Sequence, residues 1–287
     1  MRDAVVATDT RAAPRGGAHP AVALGRALAG ALIFALPMLM TMEMWFLGFY
    51  IDRLRLALLI AAMLPLLVGL AHFVGFEETF GWREDVRDAL VALAVGAVAS
   101  GLILWLLGAV TRDAPLDEIV GKVALQTVAA SIGALLATSQ LGGEGSGDGE
   151  DEQPHRPSNY LGELFFMMVG ALFLSLNVAP TEEIVLIAYR IGPGQELLLA
   201  LLSLSAMHAF VYAVNFHGAE PRPEDAGFWG LFLRFSVVGY AVVLLTSCYV
   251  LWTFGRLEGI TFEEQLSATI VLAFPGAIGA AGARLLL

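Results

Sequence analysis

One feature recurs along the whole chain: an apolar run of about 20 residues, long enough to cross the hydrocarbon core of a bilayer as a helix. The runs fall at 22–47, 54–75, 87–110, 118–140, 160–180, 194–216, 228–253 and 264–286, each bounded by charges or turn residues. Without water in the bilayer core, a chain must satisfy its own backbone N–H and C=O groups, and a helix does so within one segment. The expected fold is therefore an all-α membrane protein with about eight transmembrane helices. Composition agrees. The 287 residues are 57% hydrophobic and 15% charged, against about 25% charged in soluble domains. The first run is too long for a signal-peptide core and lacks a clear cleavage pattern, so it is read as a retained span.

Two of these runs are interrupted by acid. Asn177-Val-Ala-Pro-Thr-Glu-Glu-Ile-Val-Leu-Ile-Ala-Tyr-Arg190 sets Glu182 and Glu183 side by side between apolar stretches. Pro37-Met-Leu-Met-Thr-Met-Glu-Met-Trp45 carries Glu43 in the first run. A carboxylate at a helix centre in lipid costs roughly 2.5–3.5 kcal/mol. Two beside a proline predict a broken helix whose freed groups face protein or water. The run 184–189 is too short to span; it extends the fifth helix, re-enters the membrane or lies at the interface. Asn177, five residues before Glu182, offers a neutral oxygen, and Pro180 frees carbonyls. Carboxylates with amide and carbonyl oxygens suit hard cations or protons. Glu43, Glu182, Glu183 and Asn177 are thus the candidate cation site. The structural alternative makes the glutamates interfacial, helix-capping, or paired with Arg190 and Arg53.

The chain reads as two related halves. At an offset of 147 residues, Trp82 falls on Trp229, Arg87 on Arg234, Trp105 on Trp252 and Gly108 on Gly255. At an offset of 139, Glu43 falls on Glu182 and Tyr50 on Tyr189. Two tryptophans, an arginine and a glycine in one ungapped register predict two parallel four-helix repeats, because four spans per repeat preserve the sense of insertion. The expected organisation is a tail at 1–20, a first repeat at 21–140, an acidic Gly-rich linker at 141–158 and a second repeat at 159–287. The linker's like charges and glycines predict a solvated connector. It lacks the Lys-Ser/Thr that a phosphate cradle needs. With the N-terminus inside, ten Lys/Arg fall on the cytoplasmic side and six outside, out of 16. That bias predicts an inner-membrane protein with a cytoplasmic N-terminus.

A second group of polar residues lies on span six. Ser205, His208, Tyr212 and Asn215 recur at helical spacing, and His72 lies near the inner end of span two. Such a stripe lines a pathway or relays protons, or else it glues helices by hydrogen bonds. The small residues of Pro275–Ala283 predict a close helix-packing face. The single cysteine, Cys248, permits no intrachain disulfide and spells out no metal cluster. The net charge of −11, with no basic aromatic-interleaved patch, argues against a nucleic-acid partner.

The functional expectation is passage of a small cation, a proton or divalent metal, through the bilayer, with no cofactor. The expected partners are the lipid bilayer and the cation, with a homo-oligomer or a membrane partner subunit allowed. A non-transporting assembly subunit is the alternative from another class. A third reading is an intramembrane hydrolase, because adjacent glutamates followed by His and Asn are similar in residue type to the glutamate proteases that process prenylated proteins. The spacing departs from theirs: Arg190 comes seven residues after Glu183, and Asn215 seven after His208. The strings TMEMWFLGFYIDRLRLALL (41–59) and NVAPTEEI (177–184) resemble an uncharacterised bacterial integral-membrane family. That resemblance implies a multi-pass inner-membrane protein and supplies no catalytic residues.

Overall fold

The computed structural model describes residues 20–74, 81–140, 160–214 and 228–286. The tail before residue 20 and the linker expected at 141–158 lie outside these. In chain order the helices are α1 (Pro20–Leu39), α2 (Met42–Tyr50), α3 (Arg53–Val74), α4 (Trp82–Leu106), α5 (Leu116–Gln140), α6 (Tyr160–Val178), α7 (Glu183–Arg190) and α8 (Pro193–Val214). A short α9 (Phe228–Leu231), a π-helical segment (Phe232–Val237), α10 (Val238–Thr253) and α11 (Phe262–Leu286) complete them.

Seven helical stretches among the described residues are long and apolar enough to cross a membrane: α1, α3, α4, α5, α6, the π segment with α10, and α11. Two expected spans are broken. The run at 22–47 divides at Met40–Thr41 into α1 and α2, and the run at 160–180 ends at Val178, ahead of a separate α7. The stretch 184–189 does not extend the fifth expected span; it belongs to a short helix with its own boundaries. Each break follows local chemistry. Pro37 removes a donor within α1, and Pro180 stands between α6 and α7.

Small residues explain the packing. α5 packs against α1, α2, α3 and α4, and α11 packs against α6, α7, α8 and α10. These two hub helices are the most enclosed of the seven. Buried Ala129, Ala130, Ser131 and Ala134 line α5, and buried Ala273, Ala277, Ala280 and Ala281 line α11. The packing face expected in the last span is therefore present. At two close hub crossings, a Cβ on Gly30 of α1 would lie 2.3 Å from the Gly133 oxygen of α5. A Cβ on Gly170 of α6 would lie 2.2 Å from the Gly279 oxygen of α11. Only glycine permits backbones that close.

The ends of α4 and α10 are built alike. Gly108 and Gly255 adopt φ of 72° and 71°, in the left-handed region that costs other residues energy. Ala109 N–H returns to the Leu104 carbonyl and Gly108 N–H to Trp105. Arg256 N–H returns to Leu251 and Gly255 N–H to Trp252. Both are Schellman caps that satisfy the last carbonyls of a helix.

The part before the linker meets the part after it through α1–α6, α5–α6 and α3–α10 contacts. Phe34 packs on Phe173 with ring centres 5.1 Å apart, and Phe73 packs on Phe166 at 5.2 Å.

Candidate functional site

The two helix breaks lie at the same end of the bundle as the N-termini of α3, α5 and α11. Arg53 at the start of α3 pairs with Asp117 at the start of α5, 3.0 Å away. Ser267 in the second turn of α11 donates to the Ala188 carbonyl of α7 at 3.1 Å. The candidate acids therefore lie near a bundle end and not at mid-depth.

At the first break the freed carbonyls are taken by neutral donors. Thr41 Oγ1 donates to Pro37, Gln126 Nε2 to Met38 at 3.0 Å, and Trp45 Nε1 to Leu39 at 2.8 Å. At the second break Thr181 Oγ1 donates to Val178 at 2.8 Å, and Asn177 Nδ2 donates to Phe173 at 2.7 Å. The Pro180 carbonyl accepts from the guanidinium of Arg256. One carbonyl at this break thus holds a cation of the protein itself. Each break also retains an oxygen with no hydrogen-bond partner among the described residues: Gln126 Oε1 at the first and Asn177 Oδ1 at the second.

The carboxylates themselves stand apart from these networks. Glu43 is half-buried in the first turn of α2; Glu182 and Glu183 are exposed at the start of α7. Acid at a helix N-terminus is favoured by the helix dipole. None of the three makes an ion pair among the described residues, and Arg53, one proposed counter-ion, is engaged by Asp117. α2 packs on α5 and α7 on α11, with no substantial α2–α7 contact. The structure brings Glu182, Glu183 and Asn177 to one break and leaves Glu43 at the other. Among the described residues no three His, Cys, Asp or Glu side chains gather as a metal site.

The histidines lie toward the other end. His72 Nδ1 stands 3.1 Å from Asp85 Oδ2, joining the last turn of α3 to the first turn of α4. The Asp85 side chain is 6% exposed and that of His72 63%. Asp85 Oδ1 has no hydrogen-bond partner among the described residues. His208 Nδ1 lies 2.9 Å from Ser236 Oγ, bridging α8 to the π segment. Ser205 is exposed. The Tyr212 side chain and all of Asn215 lie outside the described residues. His208 stands about 22 Å along α8 from its start at 1.5 Å per residue. The glutamates belong to the opposite end, so the Glu–His contact that a hydrolase requires is not formed.

Sequence reasoning missed three residues here: Asp85, Gln126 and Arg256. A signal existed only for Asp85. It follows His72 by 13 residues, and an acid in the first turn of a helix that starts where the preceding helix ends in a histidine is placed to meet it. Gln126 reaches Met38 from 88 positions away, and no local pattern announces that.

Long apolar helices packed on small-residue hubs, with charges confined to their ends, define a multi-pass α-helical integral membrane protein. The chain matches, over residues 23–287, the model of a family described as "Putative integral membrane protein (DUF2391)", and it belongs to that family, whose function is unknown. Comparison with curated proteins and with solved structures gives no match.

Proposed function

We propose that the protein moves a small cation across the membrane, the proton foremost, with its proton-handling group at His72–Asp85. The observation that carries this reading is a buried carboxylate with one oxygen unpartnered and the other held by an exposed imidazole. A buried charge without full pairing is costly, so an imidazole–carboxylate pair at a bundle end is suited to gain and release protons. Glu43, Glu182 and Glu183, with Asn177, form the acidic surface at the opposite end. His208 and Ser205 belong to the pathway.

The same reading makes the molecule a duplication. The crossing glycines support it: Gly30 and Gly170 are 140 residues apart, and Gly133 and Gly279 are 146 apart. The capping glycines keep the 147 offset. Helix α3 runs Arg53–Val74 and α8 runs Pro193–Val214, again 140 apart at both ends. In that register Glu43 corresponds to Glu183, one residue beyond the pairing the sequence suggested. Helix α8 is then the eighth span; its 22 residues cover about 33 Å. The Lys/Arg bias supports a cytoplasmic N-terminus in an inner membrane, with His72–Asp85 on the cytoplasmic side.

The test is proton flux into liposomes carrying purified protein and an internal pH dye. Asp85→Asn should abolish flux and leave expression intact, and His72→Gln should reduce it. Full flux through the Asp85→Asn protein would remove the pair from the mechanism. No flux in the wild type for any cation tried would favour the non-transporting partner subunit.

A further inference from the structure

The hub helix before the linker carries polarity that the hub helix after it lacks. On α5, Gln126, Thr127 and Ser131 are all buried. In the 146-residue register of the crossing glycines they fall on Leu272, Ala273 and Ala277 of α11, which are buried as well. Packing at a hub is therefore met by apolar side chains, and the polar ones on α5 answer another need. Ser100 of α4 is also fully buried. Its counterpart 147 residues on, Ser247, has the Ser175 hydroxyl 3.5 Å away. The position on α1 that lies 140 residues before Ser175 is Ala35. Ser100 Oγ has no hydrogen-bond partner among the described residues.

Ser100 and Gln126 lie at one depth. A Cβ on Gly96 of α4 would lie 2.9 Å from the Ser131 nitrogen and 3.2 Å from the Thr127 oxygen, and one on Gly101 would lie 3.9 Å from Val123. Ser100, between these glycines, is thus level with residues 123–131 of α5, the turns that carry Gln126. Helix α1 packs on both α4 and α5, and the Gln126 amide reaches its end. Nε2 donates to the Met38 carbonyl at 3.0 Å, which holds Oε1 at the first break. That oxygen has no hydrogen-bond partner among the described residues, on a side chain only 1% exposed. The Thr127 hydroxyl donates to Val123 at 2.7 Å and keeps lone pairs that can accept. Buried polar atoms left unpartnered are costly, and buried water in proteins bonds to such groups. The neighbours Gly96, Ala99 and Ala130 are small.

We infer that Ser100 and Gln126 hold a bound water between α4, α5 and the first break, and that this water is a station for the proton at that end of the bundle. It donates to Gln126 Oε1 and exchanges a hydrogen bond with Ser100 Oγ. Water can take a proton on its oxygen and give up another, which an amide oxygen or an apolar side chain cannot do. Gln126 only accepts, and so orients it. Glu43, in the first turn of α2 just past the break, marks the same end. The role as a station rests on the proton-moving reading above; the water itself does not.

The experiment is radiolytic hydroxyl labelling of the full chain in detergent and heavy-oxygen water, read by mass spectrometry. Met38, whose carbonyl holds the Gln126 amide, is the reporter, and Met63 of α3, equally buried, is the control. Met38 should take label and Met63 should not. Ser100→Ala combined with Gln126→Leu should abolish the Met38 label. Leucine already fills the matching position of α11, so the fold should survive; Ser100→Ala alone serves if the pair does not fold. An unlabelled Met38 in the wild type, or full label in the folded variant, would overturn the water. Proton flux in liposomes tests its role. Gln126→Leu should lower flux about tenfold, the rate equivalent of about one hydrogen bond. Ser175→Ala, a hydroxyl outside this group, should leave it unchanged. Full flux through Gln126→Leu would overturn the station and leave the His72–Asp85 reading standing. A wild type that moves no proton would remove that reading and the station with it, and the labelling would still decide the water.

Discussion

The break between α1 and α2 and the break between α6 and α7 lie at one end of the bundle and are closed by different chemistry. At the first, a threonine, a glutamine and a tryptophan take three carbonyls. At the second, a threonine and an asparagine take two, and the third goes to the Arg256 guanidinium. The geometry that leaves carbonyls free is shared, because a helix interrupted by proline always strands acceptors. What fills them is left to each half. The second half uses a charge, and it is also the half whose break carries two carboxylates. The packing below the breaks shows the same divergence. At the α2–α5 crossing, a Cβ on Gly121 would lie 2.0 Å from the Gly48 oxygen. At the α7–α11 crossing, Ser267 donates to Ala188. One crossing is held by close approach and the other by a hydrogen bond.

The comparison can be broken most forcefully at the hub crossings. Gly30→Ala and Gly170→Ala each push a Cβ into the facing backbone, where neither partner is a flexible side-chain end. Overpacking of this kind costs about 1–3 kcal/mol and at times more. The two should lose stability equally, read as the midpoint of thermal unfolding in detergent. A large loss for one and none for the other would mean that the halves do not share the crossing as a structural element. Gly121→Ala should be comparably harmful, and Ser267→Ala should cost only about 1 kcal/mol, the net worth of a hydrogen bond.

Next in size are the carbonyl caps. Arg256→Met removes a charged donor from the Pro180 carbonyl, a hydrogen bond worth about 1.5–3 kcal/mol. Gln126→Leu removes a neutral donor from Met38, and it also removes a buried oxygen that had no partner. Its net cost should be about 1 kcal/mol or less. The same thermal measurement ranks them. Equal losses would show that the charge at the second break adds nothing over a neutral cap.

These features differ in how legible they were. Hydropathy alone located the helices, because length and apolarity are what the bilayer demands of a segment. The break at Pro180 was written in the proline and the acids. The break at Thr41 was visible as an acidic interruption, yet the run was drawn continuous to residue 47 because Met, Leu and Trp carry the apolar pattern through it. The Gly108 and Gly255 match acquired a local meaning with the positive φ at both, where each glycine ends a helix. The π segment at 232–237 left no trace in composition. Arg256 carries no local signal, since its partner is a backbone carbonyl 76 positions away. Asp85 was lost among the charges of Trp-Arg-Glu-Asp-Val-Arg, although its spacing from His72 set it apart.

The smallest stability change belongs to the acids that first drew attention. Glu182 and Glu183 are exposed and make no ion pair among the described residues, and Arg190 does not close on either. Glu182→Gln and Glu183→Gln therefore strand no buried charge, and each should change stability by no more than about 0.5 kcal/mol, as exposed substitutions do. A loss of about 3–5 kcal/mol, the cost of breaking a buried pair, would contradict the exposed placement. Because the fold should be indifferent, flux becomes a clean readout. If the acidic surface gathers the cation before it enters the pathway, each substitution should lower proton or cation flux at low salt. Raising the ionic strength should erase much of the difference, since exposed charges are screened within about 10 Å at 0.1 M. Glu43→Gln should lower flux less steeply with salt, because its half-buried carboxylate is less screened. Flux unchanged in all three proteins at every salt concentration would leave the acids as helix-starting residues favoured by the dipole, and would confine the transport chemistry to His72 and Asp85.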